Sequence, residues 1–264
     1  MNASRLDVFD ELLGHLQPNH FVVICLDFDG TLVAIQEYPE KCWISLPQRD
    51  LLRSLATHPR VRLAIVTGRA LDDIRTRIGI PEVVYAANHG LEIQGGPRDF
   101  LIPRADEIRA SVRDIAKTLS IELQHISGCW VENKGLTASV HYRSVAALEI
   151  PHVSETIQSH MVRWPEFLVR GGKAVFEIRP KVDWNKCHAV KWIATHAFPD
   201  PQDHLLIYSG DDTTDQDVFL GLPDALTIEV GDCPSSSARY GVSSPDDLWH
   251  YLQMLEAALY GEDG

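Results

Sequence analysis

The sequence predicts an α/β fold in which a parallel sheet is interrupted by a smaller inserted unit. The apolar run Phe21–Leu26, rich in β-branched residues, is typical of a strand buried on both faces. Segments of helix and strand character alternate after it through the first hundred residues. The pattern changes in the middle of the chain and returns after Pro180, so we expect one α/β core encoded in two stretches.

The first stretch is predicted to contain three strands, each separated from the next by a helix. A lead-in helix precedes them, and Pro47 suits the first turn of the helix that follows the first strand. Strands that alternate with helices form parallel βαβ units. The expected elements are helix Leu6–Leu16, strand Phe21–Leu26, helix Pro47–Thr57, strand Val61–Val66, helix Ala70–Ile78 and strand Val83–Ala87.

The middle of the chain has the alternating patterns of antiparallel strands, with two amphipathic helices. The expected elements there are helix Ala105–Leu119, strands Trp130–Glu132, Ala138–Arg143 and Ala174–Arg179, and helix Ala147–Met161 between the last two strands. In the closing stretch they are helix Lys186–His196, strand His204–Ser209, helix Val218–Leu222, strand Ala225–Val230 and helix Pro245–Tyr260. We therefore expect a Rossmann-like core of residues 1–102 and 183–264, with an α+β insert of residues 103–182.

The distribution of charge differs between the two predicted units. The formal net charge of −13 argues against a nucleic acid or an anionic membrane as the partner. Residues 101–182 contain 11 basic and 9 acidic side chains, whereas the rest of the chain contains 13 basic and 28 acidic ones. An acidic crevice in the core that binds a phosphate needs a cation to offset the repulsion.

Cysteine usage and the N-terminal segment indicate where the protein works. The five cysteines, with no C-x-x-C pair, indicate neither a disulfide framework nor a zinc site. The first twenty residues contain several acids and no long apolar core, and no stretch is long enough to span a membrane. We therefore expect a cytoplasmic protein, since a reducing compartment suits the free thiols Cys25, Cys42, Cys129, Cys187 and Cys233.

Side chains suited to phosphoryl transfer fall beside four predicted elements of the core. They are Asp27 and Asp29 after the first strand, Thr67 after the second, Lys186 at a helix start, and the run Gly210–Asp215 after a later strand. A carboxylate attacks phosphorus directly, a hydroxyl and an amine bind phosphoryl oxygens, and further acids hold a hard cation such as Mg²⁺. The alternative is an ordinary solvated turn, which does not account for the acids that recur at another strand end.

These motifs resemble those of the haloacid dehalogenase (HAD) superfamily of aspartate-nucleophile phosphatases. Its signature is D-x-D-G-T at the first strand, Ser or Thr at the second, Lys before a later helix, and D-D-x-x-D at a late strand. Within it the chain resembles the trehalose-phosphatase family, from about Asn19 onwards. The resemblance implies a HAD core with an inserted α+β cap domain. The segments that carry it are Asp27–Leu32, Val66–Arg69, Asn88–Gly90 and Gly210–Phe219.

The resemblance assigns a role to each matched position. Asp27 matches the nucleophile and a metal ligand, and Asp29 matches the general acid/base, whose backbone carbonyl also binds the metal. Thr67 and Lys186 match the residues that bind the transferring phosphoryl group. Two acids complete the implied Mg²⁺ site, Asp211 directly and Asp212 through water.

Several of these residues have ordinary alternatives. Thr67 suits a plain turn and Lys186 a solvated helix start, and Cys187 stands where the family usually has Gly. Arg69 either contacts the substrate or pairs with a neighbouring acid. Two acids suit the first turn of a helix: Asp215, which we expect to orient Lys186 or a metal-bound water, and Asp217. For the Asn88–Gly90 turn we expect a structural role.

The predicted insert offers polar side chains for a sugar. Strand alternation places Lys173 with Glu177, Glu132 with Lys134, and His141 with Arg143 on shared faces. A half-solvated sheet has the same pattern. The resemblance implies that the cap binds the sugar, with Arg143 among the substrate-binding residues. It implies that the distal glucose is bound by Glu132, Lys134, Lys173 and Glu177.

The leading hypothesis is a Mg²⁺-dependent trehalose-6-phosphate phosphatase with a small sugar-phosphate substrate and functional coupling to a trehalose-6-phosphate synthase. The alternatives are a capped HAD phosphatase acting on sucrose, glucosylglycerol or mannosylglycerate phosphates, and a phosphomutase, which would share Asp27 and Asp29. A further alternative from another class is a non-catalytic sugar-phosphate sensor. The presence of all the motif residues argues against a sensor.

Overall fold

A computed structural model describes residues 5–16, 21–198, 203–231 and 237–261. Of the five predicted free thiols, Cys233 lies outside these residues, and the other four are free cysteines. The chain divides into two compact units, one formed by Met1–Phe100 with Trp184–Gly264 and the other by Leu101–Asp183. Within the described ranges, none of the helices combines the length and apolar content that a membrane span requires.

The described residues contain strands in two sheets. Those of the larger sheet are β1 (Phe21–Leu26), β2 (Val61–Val66), β3 (Val84–Ala87), β4 (Glu92–Gln94) and β5 (Phe100–Leu101). The smaller sheet contains β6 (Trp130–Asn133), β7 (Ala138–His141), β8 (Phe167–Gly171) and β9 (Val175–Pro180). The larger sheet is completed by β10 (His204–Gly210), β11 (Leu226–Val230) and β12 (Tyr240–Val242).

The α-helices occur mostly between strands, as a crossover fold requires. In chain order they are α1 (Arg5–Gly14), α2 (Leu46–Thr57), α3 (Leu71–Ile78), α4 (Ala105–Leu123), α5 (Ile150–Met161), α6 (Lys186–Thr195), α7 (Thr213–Gly221) and α8 (Pro245–Gly261). Single 3-10 turns occur at Pro39–Lys41 and Asn88–Gly90.

The larger sheet has the strand order β12-β11-β10-β1-β2-β3-β4-β5, with β1 near its centre. Strand β1 runs parallel to both neighbours, and Leu26 at its end lies opposite Ile65 of β2 and Ser209 of β10. The residues that follow these strands therefore emerge at the same edge of the sheet. This is the edge where open α/β sheets bind ligands.

Alternation along β1 supplies both faces of the sheet with apolar side chains, as the sequence predicts. Val22, Ile24 and Leu26 belong to a core cluster with residues of α1, α2, α3 and α8. Val23 and Cys25 belong to a second cluster, formed with α6 and α7. Apolar burial on both faces fixes the strand, and so fixes where Asp27 leaves the sheet.

Helix α7 begins five residues earlier than the apolar pattern predicts, at Thr213 rather than Val218. Asp212 is its N-cap, and Asp212 and Asp215 form a capping box in which each side chain accepts a hydrogen bond from the other's backbone N–H. The first turn is therefore polar, and apolar periodicity does not detect it. The start of α7 therefore fixes the positions of Asp212 and Asp215.

The second unit contains an antiparallel sheet with the strand order β6-β7-β9-β8. One face packs on α4 and α5 through a cluster that includes Val112, Ile115, Val140, Val153 and Ile178. Strand β8 was not predicted, because Phe167–Gly171 mixes apolar and basic residues without strict alternation. Strands β4, β5 and β12 were not predicted either, because two or three residues are too few to show an alternating pattern.

Candidate active site

In the first motif, Asp27 lies at the end of strand β1, whereas Asp29 lies in the turn that follows. Asp27 is 5% exposed, and its backbone N–H donates to the Ser209 carbonyl at 2.9 Å. The chain then turns, because Asp29 forms an isolated bridge with Val33 and the Gly30 N–H donates to the Val33 carbonyl at 2.8 Å. The two carboxylates therefore have different surroundings.

Gly30 allows a close approach between the first and last motifs. Its φ is +88°, and a Cβ there would lie 2.0 Å from the Asp211 Oδ2 atom. Only glycine accepts both that backbone angle and that contact without strain. The Thr31 hydroxyl donates to Asp211 Oδ1 at 3.3 Å. The sequence Asp-Gly-Thr is thus what brings Asp211 against the first turn.

Asp215 organises the turn after β10. Its Oδ2 atom accepts the backbone N–H groups of Asp211 at 2.9 Å and Asp212 at 3.0 Å. Its Oδ1 atom accepts from Lys186 Nζ at 2.7 Å and from the Tyr208 hydroxyl at 2.5 Å. A Cβ on Gly210 would lie 2.2 Å from the Asp215 carboxyl carbon, so glycine is required there too.

Lys186 links the two acidic motifs. It is the first residue of α6, after the N-cap Asn185, and is 2% exposed. Its amine lies 3.1 Å from Asp27 Oδ1 and 2.7 Å from Asp215 Oδ1. Burial opposes the charge of the amine, but Asp215 and Asp27 raise the pKa of Lys186 well above its ordinary value. The ammonium is therefore charged at neutral pH.

The acids around this amine do not titrate alike. Burial raises the pKa of Asp27 well above its ordinary value; Lys186 opposes this, and Asp215, Asp211 and Asp212 reinforce it. Burial also raises the pKa of Asp215 to about 6, against the pull of Lys186. Burial disfavours the charge of Asp212, yet Lys186 and hydrogen bonds hold its pKa well below the usual range. One ammonium therefore lies beside four carboxyl groups, and negative charge on all four would exceed what Lys186 balances.

Thr67 lies in a turn that the third strand supports. It is 1% exposed, and its Oγ1 accepts the Arg69 N–H at 3.3 Å. The N–H groups of His89 and Asn88 donate to the carbonyls of Thr67 and Arg69, each at 2.8 Å. The Asn88–Gly90 turn therefore has the structural role that the sequence predicts, since its backbone holds the Thr67 turn.

Arg69 pairs with acids, which is one of the two alternatives left open by the sequence. Its Nε and Nη2 atoms each lie 2.6 Å from an oxygen of the Asp29 carboxylate. Its Nη1 atom donates to Asp73 Oδ2 at 2.8 Å. A contact between Arg69 and substrate stays a prediction.

The described residues contain one set of acids that suits a metal ion. Oxygens of Asp27, Asp211 and Asp215 all lie within 4.8 Å of one another. Clustered carboxylate oxygens are the ligands that Mg²⁺ prefers, so this donor set fits a hard dication. Asp215 accepts four hydrogen bonds, so its carboxylate also holds the turn after β10 in place.

The other two predicted metal ligands lie nearby with their side chains engaged elsewhere. The Asp29 carboxylate pairs with Arg69, which is compatible with a ligand role for its backbone carbonyl. The Asp212 Oδ1 atom accepts the Thr214 N–H at 2.8 Å and the Thr214 hydroxyl at 2.6 Å. Both metal assignments stay predictions.

The second unit has a row of polar residues across its open sheet face. Glu132 of β6 lies opposite Ser139 of β7, which lies opposite Glu177 of β9. Glu132 Oε2 lies 2.8 Å from His141 Nε2, and Glu177 forms an ion pair with Arg179. Two of the predicted sugar-binding residues, Glu132 and Glu177, are thus brought to one face by strand register.

The three basic residues predicted to share that face lie outside the strands. Lys134 follows β6 and Arg143 follows β7, so strand alternation does not extend to either. Lys173 precedes β9, and Ala174 between them has a φ of +65°, which breaks the extended backbone. The predicted face sharing of these residues stays a prediction. Arg143 does lie near Lys173, because its Nη2 donates to the Lys173 carbonyl at 2.7 Å.

Sequence analysis missed two residues that hold the site together. Tyr208 is fully buried and donates to Asp215, and its signal was a polar atom within an otherwise apolar strand. Burial, with Asp215 beside it, raises the pKa of Tyr208 well above its ordinary value. Asp73 was the other, and its signal was a position four residues from both Arg69 and Arg77, where side chains on one helix meet.

We expect Asp215→Asn to destabilise the protein by about 3 kcal/mol or more, because it removes a partner from a buried ammonium. The exposed Asp217 provides a matched control, since its carboxylate accepts a hydrogen bond from Asn185 at 3.0 Å and lies at the surface. Asp217→Asn should change the free energy of unfolding by less than about 1 kcal/mol. Urea unfolding measures both, and equal losses would contradict a special role for Asp215.

Comparisons with known proteins bear on the chain as a whole. The model of the trehalose-phosphatase family matches residues 25–246. A protein of Arabidopsis thaliana named probable trehalose-phosphate phosphatase D is 32% identical over 268 residues, which cover 96% of this chain and 72% of that protein.

Solved structures share the fold. One described as a trehalose-6-phosphate phosphatase related protein has a TM-score of 0.81 at 24% identity and covers 92% of this chain and 100% of its own. The C-terminal domain of trehalose-6-phosphate phosphatase from C. albicans has a TM-score of 0.78 at 21% identity, covering 97% of each chain. The predicted fold class is confirmed. Because the family model matches most of the chain, this protein belongs to the trehalose-phosphatase family, whose members are phosphoric monoester hydrolases.

Proposed function

We propose that this protein hydrolyses trehalose 6-phosphate to trehalose and phosphate through an aspartyl-phosphate intermediate. The observation that carries the proposal is the buried Asp27 carboxylate, 3.1 Å from the Lys186 amine at the carboxyl edge of a parallel sheet. A chain of this family with that arrangement has both a nucleophile and a cation for the phosphoryl group.

In the first step an oxygen of Asp27 attacks phosphorus and the bond from phosphorus to the sugar oxygen breaks. Asp29, in its protonated form, gives that oxygen its proton, so that the sugar leaves as an alcohol. Lys186 Nζ and Thr67 Oγ1 bind the phosphoryl oxygens and stabilise the charge that they carry. The products of this step are the free sugar and a phosphorylated Asp27.

In the second step a water molecule attacks the same phosphorus from the side that the sugar has left. Asp29, now a carboxylate, takes a proton from that water. The bond between phosphorus and the Asp27 oxygen breaks, and inorganic phosphate leaves. Asp27 regains its carboxylate and Asp29 its proton, so that one water is consumed in each cycle.

We propose that Mg²⁺ is held by Asp27, Asp211 and the backbone carbonyl of Asp29, with Asp212 acting through water. When bound, Mg²⁺ supplies positive charge that offsets the repulsion between these acids and the substrate phosphate. The support for this assignment is that oxygens of Asp27, Asp211 and Asp215 lie within 4.8 Å of one another.

We propose that the second unit recognises the sugar that the phosphate site does not contact. Glu132 and Glu177 act as acceptors for sugar hydroxyls, and Lys134 and Lys173 act as donors near the distal glucose. Arg143 and Arg69 are further candidates for substrate contacts. The support is the strand register that aligns Glu132, Ser139 and Glu177 across one sheet face.

We propose a cytoplasmic location and functional coupling to a trehalose-6-phosphate synthase, which would produce the substrate. The free cysteines among the described residues are compatible with a reducing compartment.

A substrate panel is the experiment that tests the proposed function most directly. The phosphate esters of trehalose, sucrose, glucosylglycerol and mannosylglycerate are assayed at equal concentrations, with and without Mg²⁺. We expect the highest kcat/KM for trehalose 6-phosphate with Mg²⁺. If another ester is preferred, that ester is the substrate instead of trehalose 6-phosphate. Transfer of phosphate between sugar positions would indicate a mutase, and binding without turnover would indicate a sensor.

We expect Asp27→Asn to abolish turnover while the protein stays folded, with a smaller loss of stability than Asp215→Asn, because Asp215 still pairs with Lys186 at 2.7 Å. An amide is nearly isosteric with a carboxylate but is a far weaker nucleophile. Beryllium trifluoride, which mimics a phosphoryl group on a carboxylate, should bind the wild type and not the variant. Near-normal turnover in Asp27→Asn would contradict the assignment of the nucleophile.

We expect chelation to abolish activity and added Mg²⁺ to restore it. Asp211→Ala should raise the Mg²⁺ concentration needed for half-maximal activity by about tenfold or more, because each lost carboxylate removes a charged ligand. Asp224, which is exposed, gives the control Asp224→Ala, with no expected change. Full activity after exhaustive chelation would rule out a required metal.

We expect Glu132→Ala and Glu177→Ala to lower kcat/KM for trehalose 6-phosphate by about fivefold to a hundredfold, since an unpaired polar partner costs about 1–3 kcal/mol. Hydrolysis of p-nitrophenyl phosphate, which lacks the sugar, should change little. Glu155→Ala, at an exposed position on α5, provides the control. Equal losses on both substrates would mean that these residues support the fold or the chemistry instead.

A further inference from the structure

The carboxylate of Asp29 is held by an arginine rather than by packing. The Asp29 side chain is 37% exposed, which would leave it free to rotate without a partner. Arg69 approaches it with two parallel contacts, each 2.6 Å from nitrogen to oxygen. A bidentate pair of this kind fixes the plane of the carboxylate as well as its distance.

Arg69 is itself fixed by groups on two other segments. Its Nη1 atom donates to Asp73 Oδ2 at 2.8 Å, and its Nη2 atom donates to the Pro39 carbonyl at 3.0 Å. The guanidinium also lies 5.2 Å from the centre of the Phe28 ring, and the residue is 7% exposed. The orientation of the fork therefore depends on Asp73 and on the 3-10 turn at Pro39–Lys41.

Asp73 is shared between two buried arginines. Its Oδ2 atom accepts from Arg77 Nε at 2.8 Å as well as from Arg69. Arg77 is 5% exposed and donates from Nη1 to the Cys42 carbonyl at 2.6 Å, while its guanidinium lies 4.9 Å from the Trp43 ring centre. The Asp73 carboxylate thus binds both arginines, and the two arginines in turn bind residues 39–43, the segment that follows the first motif.

We propose that Asp73 is a positioning residue, which through Arg69 sets the orientation of the Asp29 carboxylate for proton transfer. The proposal rests on the proposed function, in which Asp29 is the acid/base. It adds to that function a dependence on Asp73, on Arg77 and on residues 39–43, none of which belongs to the four motifs. Asp73 acts through Arg69 and does not touch the reacting atoms.

The spacing of these residues explains why one acid serves both arginines. Arg69 precedes the first turn of α3, and Asp73 and Arg77 follow it at intervals of four residues, so the three side chains meet along one side of the helix. Asp73 balances part of the charge of two arginines in a half-buried position. Without that balance, Arg69 would lose its anchor on α3 and retain its contacts with Asp29, the Pro39 carbonyl and the Phe28 ring.

The test compares Asp73→Asn with Asp72→Asn, the same change at the adjacent exposed position of α3. A misplacement of about 1 Å in a reacting group can cost about a hundredfold in rate. We therefore expect Asp73→Asn to lower kcat on trehalose 6-phosphate by about tenfold to a hundredfold, with KM within about twofold of the wild type. Asp72→Asn should leave both constants unchanged.

Rapid mixing with p-nitrophenyl phosphate separates the two steps of the reaction. Its leaving group departs as a phenolate with little need for a proton, whereas attack by water still requires the base. In Asp73→Asn the first turnover should therefore release nitrophenolate at close to the wild-type rate, and the steady-state rate should fall with kcat. Asp29→Asn should likewise keep the first turnover and should lose more of the steady-state rate than Asp73→Asn. Asp73→Glu should recover part of the steady-state rate that Asp73→Asn loses.

Unfolding temperature and beryllium trifluoride binding show whether the phosphate site survives in Asp73→Asn. We expect Asp73→Asn to remain folded but to unfold at a lower temperature, because two buried arginines lose a charged partner. Mimic binding should stay close to wild type, because Asp27 and Lys186 do not touch Asp73. The proposal is overturned if Asp73→Asn matches Asp72→Asn, if KM rises while kcat stays constant, or if mimic binding is lost together with both reaction steps. If the wild type hydrolyses p-nitrophenyl phosphate but not trehalose 6-phosphate, the proposed substrate fails, and the two-step comparison still tests Asp73.

Discussion

The rest of the site depends on the ion pairs that the buried Lys186 ammonium forms with Asp27 and Asp215. A charge that is 2% exposed is stable only if it is paired and hydrogen-bonded, and Asp27 and Asp215 supply that pairing. Asp215 in turn accepts the N–H groups of the turn after β10 and the Tyr208 hydroxyl, so the backbone of one strand end is tied to the start of α6. Because the apolar faces of β1 fix where Asp27 emerges, the ammonium, both acids and the sheet edge hold their positions together.

The same arrangement leaves an excess of negative charge, which is the physical reason for proposing a metal. Lys186 is one cation beside Asp27, Asp211, Asp212 and Asp215, and burial raises the pKa of Asp27 because its charge is poorly solvated. A phosphate ester would add more negative charge to this edge. A dication bound to Asp27 and Asp211 would offset both effects, favouring the charged nucleophile and admitting the phosphate. The crowded carboxyl groups of the protein and the phosphate of the proposed substrate therefore both require a cation at this edge.

Much of the larger sheet could be predicted because its information is local. The apolar runs that form β1 and β2 have one consistent solution, burial on both faces, and the polar residues that follow them must lie at a common edge. The pairing of Arg69 with Asp29 could not be predicted, because Arg69 had several acids within reach and only the tertiary structure selects Asp29. The start of α7 was missed because capping is a polar signal. Strand β9 begins at Val175 rather than at the predicted Ala174, because the positive φ of Ala174 interrupts the extended backbone.

Two aspartates separated by one residue have opposite surroundings, and this difference separates their proposed roles. Asp27 is 5% exposed, is held by an amine and lies at a strand end, which suits a nucleophile that must approach phosphorus along one direction. Asp29 lies beyond the turn, is partly open to solvent and is oriented by the fork of Arg69, which suits a group that exchanges protons with a leaving group and then with water. The chain produces this difference with Gly30, whose positive φ turns the backbone and whose missing side chain admits Asp211. A few residues of sequence thus place two identical carboxylates in the two environments that the proposed reaction needs.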